Sequence, residues 1–233
     1  ALPILWRDDH LVAIYKPAGW LVHRTGLDAG ETRFAMQLLR DQLGQRVWPV
    51  HRLDKGTSGL LLFALDADTA RLMAQAFEHG TGLHKTYQAV VRGWPAEEGH
   101  IDHPLRRLPD DTRDTRELVQ TAQTHYRALS RLTLPLPQGP HPSTRLARVE
   151  LQPLTGRRHQ LRRHMKHIAH PIVGDATHGK GPLNRAVAQH LGLQRLWLHA
   201  TTLCLPHPVT GLALELHVPP GPEWAVWTGH VDP

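Results

Sequence analysis

The apolar residues of this chain fall in short runs, each closed by glycine, proline or charge. Leu11–Tyr15 (LVAIY) stops at Lys16-Pro17-Ala18-Gly19, and Leu60–Leu65 (LLLFAL) at Asp66. Lys85–Arg92 (KTYQAVVR), rich in β-branched and aromatic residues, ends at Gly93. Runs this short fall below the roughly 18 apolar residues of a membrane helix and read as buried strands leaving into turns. Further strands are expected at Thr124–Ser130, Leu146–Leu151, Leu196–Leu205 and Leu212–Val218, the last two antiparallel across 206–211. Helices are fewer. Thr32 is expected to cap one from Arg33 to Leu43 that stops at Gly44. Asp68 is expected to cap another, through Ala70, Met73, Ala74 and Phe77, that stops at Gly80. A third runs from Gly156 to Ile168 and is ended by His170-Pro171. Strands outnumber helices without strict interleaving, which predicts an α+β fold rather than a doubly wound sheet.

Two stretches interrupt this pattern. Residues 94–120 are rich in proline and charge, and 131–144 contain Leu134-Pro135-Leu136-Pro137 followed by Gln138-Gly139-Pro140-His141-Pro142. Both are expected to be loop insertions, because proline serves neither helix interior nor central strand. The 233 residues suffice for one large domain or two small lobes. Lys and Arg number 27 against 21 Asp and Glu, so the net charge is +6, which favours an anionic partner such as nucleic acid. Cys204, the sole cysteine, excludes an intramolecular disulfide and a cysteine-based zinc cluster. The first residues lack the basic and long apolar regions of a signal peptide, and a cytoplasmic protein is expected.

Chemistry concentrates in two strings. In His51-Arg52-Leu53-Asp54-Lys55-Gly56-Thr57-Ser58-Gly59 a carboxylate stands among cations in a glycine-bearing turn. The cations keep Asp54 ionised, as suits a nucleophile or base. An aspartate in a loop also commonly bonds its own backbone, and the spacing leaves both readings open. The kinase catalytic string places Asp directly after His-Arg, whereas Leu53 intervenes here, and the glycines do not flank Ser58 as in a G-x-S-x-G elbow.

The second string runs from Thr155-Gly156-Arg157-Arg158-His159-Gln160 into Leu161-Arg162-Arg163-His164-Met165-Lys166. On a helix Leu161, Met165 and Ile168 share one face, while His159, Arg162, Arg163 and Lys166 form a basic ridge on the flank and opposite face. That ridge is either a phosphate-binding surface or a solvated helix face. The spacing of His159, His164, His167 and His170 is not a metal motif, and no metal is expected. Gly174-Asp175 and Gly179-Lys180 do not complete a phosphate-binding P-loop, whose frame breaks at Gly181. Tyr87 reads either as a core residue of its strand or as an aromatic that stacks an extruded base.

Taken together, these strings resemble the RluA-type pseudouridine synthases over nearly the whole chain. Lys16–Gly19 is similar to the family's first motif, although Tyr15 stands where Asn is frequent. His51–Gly59 is similar to H-R-L-D-x-x-T-S-G, and Lys85–Gly93 to K-x-Y-x-A-x-V-x-G. Thr155–Arg162 is similar to T-G-R-x-H-Q-L-R, followed by His170-Pro171-Ile172-Val173-Gly174-Asp175. The resemblance implies the pseudouridine synthase catalytic fold: a mixed, mostly antiparallel sheet with flanking helices and a central cleft, here one catalytic domain over 1–233 without an S4-type domain. It implies isomerisation of a uridine to pseudouridine in structured RNA, with a flipped-out base and no cofactor. Asp54 matches the essential aspartate, Arg162 the arginine expected to pair with it, and Tyr87 the tyrosine at the uracil. Arg52 matches the residue that fills the vacated space, and Leu198 part of the apolar pocket. His51, Lys16, Arg157, Arg158, His159, Arg163 and Lys166 complete the expected substrate-binding set. Gly19–Arg24, Arg162–His164 and Gly192–Leu196 look most like a bacterial branch acting on tRNA position 65. A ribosomal RNA substrate and a non-catalytic RNA-binding relative are the alternatives. A monomer without membrane partners is expected.

Overall fold

Alternating short strands and turns build a mostly antiparallel architecture, as the apolar runs require. A computed structural model describes residues 1–22, 34–80, 82–108 and 118–232. In chain order the elements begin with β1 (Ile4–Arg7), β2 (Leu11–Lys16), α1 (Ala35–Leu43), β3 (Trp48–Pro49), β4 (Ser58–Ala64) and α2 (Ala67–His79). There follow β5 (His84–Arg92), β6 (Glu98–Asp102), β7 (Leu105–Arg106), β8 (Val119–Gln120), β9 (Gln123–Leu134) and β10 (Thr144–Pro153). The chain closes with α3 (Gln160–His167), α4 (Gly181–Leu191), β11 (Leu198–Pro206), β12 (Ala213–His217) and a 3-10 helix, Pro222–His230.

These elements form two compact units. Of the described residues, the first comprises those within 1–85, residue 108 and 200–219, and the second 86–107, 118–199 and 220–232. In the first unit β2 pairs antiparallel with β1 and β4, placing Lys16 opposite Gly59 at one end of the β2–β4 ladder. β4 is buried throughout, as a near-continuous apolar strand should be. Leu60, Leu62, Met73 of α2, Leu203, Leu205 and Leu216 pack in one core. Gly59 has φ +114°, and a Cβ there would stand 2.2 Å from the Ala200 carbonyl oxygen, so the residue beside the Asp54 string must be glycine. In the second unit β10 pairs antiparallel with β5 and β9, and β6 pairs with β9. α3 lays Leu161 and Met165 on one face of these strands, with Ala89, Val91, Val149 and Leu151. A second core holds Val90, Leu132, Val187 and an edge-on cluster of Trp197, Trp224 and Trp227.

Several boundaries differ from the sequence reading for identifiable reasons. The α2 cap is Asp66, which accepts from Thr69 N at 2.7 Å, and Asp68 sits in the first turn. Residues 94–120 are not solely an excursion: they supply edge strand β6 and the β7–β8 pair, with 109–117 outside the described residues. The second insertion shrinks to 135–143, because β9 continues to Leu134 and β10 resumes at Thr144. α3 begins at Gln160 rather than Gly156, after His159 in the left-handed region at φ 54°. The expected cap Thr32 lies outside the described residues, and α1 starts after Phe34 without a side-chain cap.

Candidate active site

The first unit carries the Asp54 string. Lys16 ends the buried strand β2, and its own residue is fully buried. Its ammonium donates to the carbonyls of Pro17 at 3.0 Å, Trp20 at 2.8 Å and Lys55 at 3.2 Å. Gly19 N also donates to the Lys55 carbonyl, at 2.8 Å. The 16–20 turn and the Asp54-Lys55 turn are therefore tied together at two donors. A third bond, from Thr57 N to the Asp54 carbonyl at 3.0 Å, closes the turn around Asp54 itself. Leu53 anchors the string in the core, and Arg52 and Lys55 are exposed beside half-buried Asp54. Lys16, one of the expected substrate-binding set, is buried and fixes the loop that carries the Asp54 carboxylate.

His51 also faces inward. Its Nε2 accepts from Leu62 N at 3.0 Å, and its ring stacks on Phe77 with centroids 5.1 Å apart. Burial, reinforced by the Lys85 ammonium, pushes its pKa down to about 3, so the imidazole is neutral. A neutral ring whose acceptor nitrogen holds a backbone N–H is a spacer between the Asp54 string and β4. Burial likewise lowers the pKa of Lys85, whose ammonium sits 6.0 Å from the Phe77 ring centroid.

The second unit carries Tyr87, Leu198 and the α3 string, and it brings them together. Half-buried Tyr87, opposite Leu151 in the β5–β10 register, packs with Leu198 and Leu161 in one cluster. Arg162 is buried, and its Nε and one terminal nitrogen donate to the two oxygens of Asp175, each at 2.8 Å. Asp175 Oδ1 also accepts from Thr177 N at 3.0 Å and His178 N at 2.9 Å. Burial pushes the Asp175 pKa up, but the Arg162 hydrogen bonds and these backbone donors outweigh it and hold the carboxyl below its usual range. Gly174 brings this aspartate in, for a Cβ there would stand 1.7 Å from the Arg195 carbonyl oxygen. Asp54, the partner expected for Arg162, belongs to the first unit; within its own unit the carboxylate on Arg162 is Asp175.

The start of α3 is fixed by a polar chain that the apolar periodicity does not show. Gln123 N donates to Thr155 Oγ1, whose hydroxyl donates to Gln160 Oε1 at 2.6 Å. Gln160 Oε1 also accepts from Arg157 N, and its amide donates to Thr124 Oγ1 at 3.0 Å. That leaves the Thr124 hydroxyl to donate to His164 Nδ1 at 2.9 Å, while His164 Nε2–H donates to the His103 carbonyl at 2.9 Å. Both nitrogens of buried His164 are thus assigned to a neutral ring, in keeping with a pKa lowered chiefly by burial. Gln160, Arg162 and His164 are buried beside the apolar stripe, so the polar flank of α3 is narrower than its sequence indicates.

Of the expected ridge, Arg158 and Lys166 are exposed, while Arg157, His159 and Arg163 are half-buried. Arg157 Nε donates to the Thr121 carbonyl at 3.0 Å, and His159 Nδ1 lies 3.0 Å from His178 Nε2. The residues missed as site residues are Thr155, Gln160 and Asp175. All three stand in the motif strings, but their partners lie far away in sequence. Among the described residues no group of three or more His, Cys, Asp or Glu is arranged to hold a metal ion.

Comparison with known proteins gives the family of the chain. The RNA pseudouridylate synthase family matches residues 10–167, which include the Asp54, Tyr87 and Arg162 strings. The tRNA pseudouridine synthase C of Yersinia pestis is 51% identical over 219 residues, covering 92% of this chain and 85% of that protein. That of Vibrio cholerae is 48% identical over 213 residues, covering 90% and 87%. Among solved structures, human RNA pseudouridylate synthase domain containing 1 superposes with a TM-score of 0.76 at 25% identity, covering 100% of this chain and 89% of that one. On the length of the family match and the identity to these relatives, the chain belongs to the RNA pseudouridylate synthase family.

Proposed function

We propose that this chain isomerises a uridine of tRNA to pseudouridine, at position 65, with Asp54 as the catalytic carboxylate. The observation that carries the reading is the doubly tied turn that presents Asp54 from a rigid, buried frame. The similarity to tRNA pseudouridine synthase C of several bacteria supports the choice of substrate. In this reaction the N1–C1′ glycosidic bond breaks, the uracil turns, and C5 bonds to C1′. The C5 proton is lost and N1 regains one, so atoms balance without a cofactor or water. Because the leaving base is retained for reattachment, a single carboxylate suffices where glycoside hydrolysis normally uses two.

Tyr87 and Arg162 complete the proposed catalytic set. Tyr87 presents its ring to the extruded uracil from the cluster it shares with Leu198. Arg162 is held in one orientation by the two-pronged Asp175 contact. Arg52, exposed beside Asp54, fills the space that the nucleotide leaves. Arg158, Arg163 and Lys166 contact phosphates. A monomer working in the cytoplasm is part of the same reading; among the described residues no helix is long and apolar enough to cross a membrane. The test is release of tritium from C5-labelled uridine in tRNA, with the modified position mapped afterwards. Release and a pseudouridine at position 65 are expected. Binding without release defeats the enzyme reading, and release only from ribosomal RNA defeats the tRNA reading.

A further inference from the structure

At the far end of β5 from Tyr87 the second unit opens a groove of about 520 Å³, lined by Arg92, Arg145, His141 and His170 and, among the described residues, by no acidic one. Five residue steps of extended chain separate Tyr87 from Arg92, roughly 17 Å at about 3.3 Å per residue. The groove is therefore distinct from the Tyr87 cluster. One wall is the tight turn in which Gln138 and His141 exchange backbone hydrogen bonds at 2.8 and 3.0 Å. The other is the end of β5, where His170 Nδ1–H donates to the Arg92 carbonyl at 2.7 Å. That bond fixes the ring and leaves Nε2 as its remaining polar atom.

Next to the groove Trp94 carries two guanidiniums, Arg145 at 4.3 Å and Arg131 at 5.1 Å from its ring centroid. In the β9–β10 register Arg145 is opposite Thr133 and Arg131 opposite Ala147, so the two arginines are diagonal neighbours about 7–8 Å apart at the backbone. Among the described residues none of Arg92, Arg131 and Arg145 has a carboxylate within ion-pair distance. Asp232, hydrogen-bonded through its backbone N–H to the Arg131 carbonyl, accepts with its carboxylate from Thr133 Oγ1 at 2.9 Å. Arg131 and Arg145 are like charges held together on one indole, and an anion meeting them lowers their mutual repulsion. Planar forks spaced along a groove match successive phosphates of one strand.

We propose that this groove binds the phosphodiester backbone of the RNA substrate away from the reacting uridine. The proposal rests on the reading of the chain as an RNA-modifying enzyme, and it extends the RNA footprint beyond the motif strings. The test is the Kd for tRNA across a salt series, for the wild type and for Arg92→Gln/Arg145→Gln. The double substitution is expected to weaken binding about tenfold near 0.1 M salt. It is expected to lower the slope of log K against log salt by about 1.4–1.8, at 0.7–0.9 per lost phosphate contact. Arg92→Lys/Arg145→Lys, which keeps the charge, is expected to restore the slope. The control, Arg71→Gln/Arg185→Gln, removes two exposed charges elsewhere and is expected to change Kd less than threefold. An unchanged Kd and slope in the groove variant, or an equal loss in the control, overturns the groove while tritium release by the wild type leaves the enzyme reading standing. A wild type that neither binds tRNA nor releases tritium overturns both.

Discussion

Replacing Asp175 by Ala removes the carboxylate on which Arg162 closes. Its side chain is fully buried and that of Arg162 is 10% exposed, so water replaces little of what is lost. Four hydrogen bonds end on this carboxylate, two from the guanidinium and two from Thr177 and His178 N–H. Breaking a buried ion pair by removing one partner costs about 3–5 kcal/mol. At roughly 2–4 °C per kcal/mol for a chain of this size, Tm should fall by about 6–20 °C. Asp175→Asn keeps an oxygen for the backbone donors but not the charge, and should cost about 1–3 kcal/mol. The pH dependence follows from the depressed Asp175 pKa: its contribution is present above the usual carboxylate range and is lost as pH falls through the folded value. The wild type should therefore lose its advantage over Asp175→Ala in acid. Urea denaturation at several pH values measures both effects. A loss below about 1 kcal/mol for Asp175→Ala at pH 7 would refute the claim that this contact fixes Arg162.

Asp54→Asn should abolish tritium release while tRNA affinity stays within several-fold, because the amide keeps the volume but is neither nucleophile nor base; turnover near wild type removes Asp54 from the chemistry. Tyr87→Phe should slow the reaction and Tyr87→Leu should slow it further through loss of ring stacking; two folded variants with normal turnover would make Tyr87 a core residue only. His51 is neutral when folded and titrates near its ordinary value of 6.5 when unfolded, so the unfolded chain binds more protons between about pH 3 and 6.5. Stability should fall as pH drops below about 6.5, and the slope should be shallower in His51→Gln; equal slopes in the two proteins would show that the ring charges freely in the fold.

The local pattern sufficed for the longer strands, though not for the short β1, β3, β6, β7 and β8. LVAIY, LLLFAL and KTYQAVVR become β2, β4 and β5, because a run of apolar residues between turns has few other ways to be buried. The apolar stripe of Leu161 and Met165 likewise places α3 on its strands. α4 escaped because its apolar residues are sparse, with Leu183 and Val187 alone fully buried, and its start is marked only by Gly181-Pro182. The extension of β9 to Leu134 escaped because the proline-rich stretch that follows masks where pairing ends.

What tertiary structure alone decided is the state of the polar residues inside those strings. Lys16 and His51 read as substrate-binding groups in one dimension and Gln160 and His164 as groups with no assigned contact, yet each is held by a hydrogen-bond partner outside its own string. The Lys16 ammonium reaches the carbonyl of Lys55, and His164 reaches Thr124 and His103. A buried polar group persists only where its hydrogen bonds are met, and residues 40 positions away leave no trace in local periodicity. The Arg162–Asp175 contact and the acid-free groove around Arg92 and Arg145 are of the same kind. Charge composition announced an anionic partner, but only the pairing of β5, β9 and β10 determines which cations meet an acid and which remain open to one.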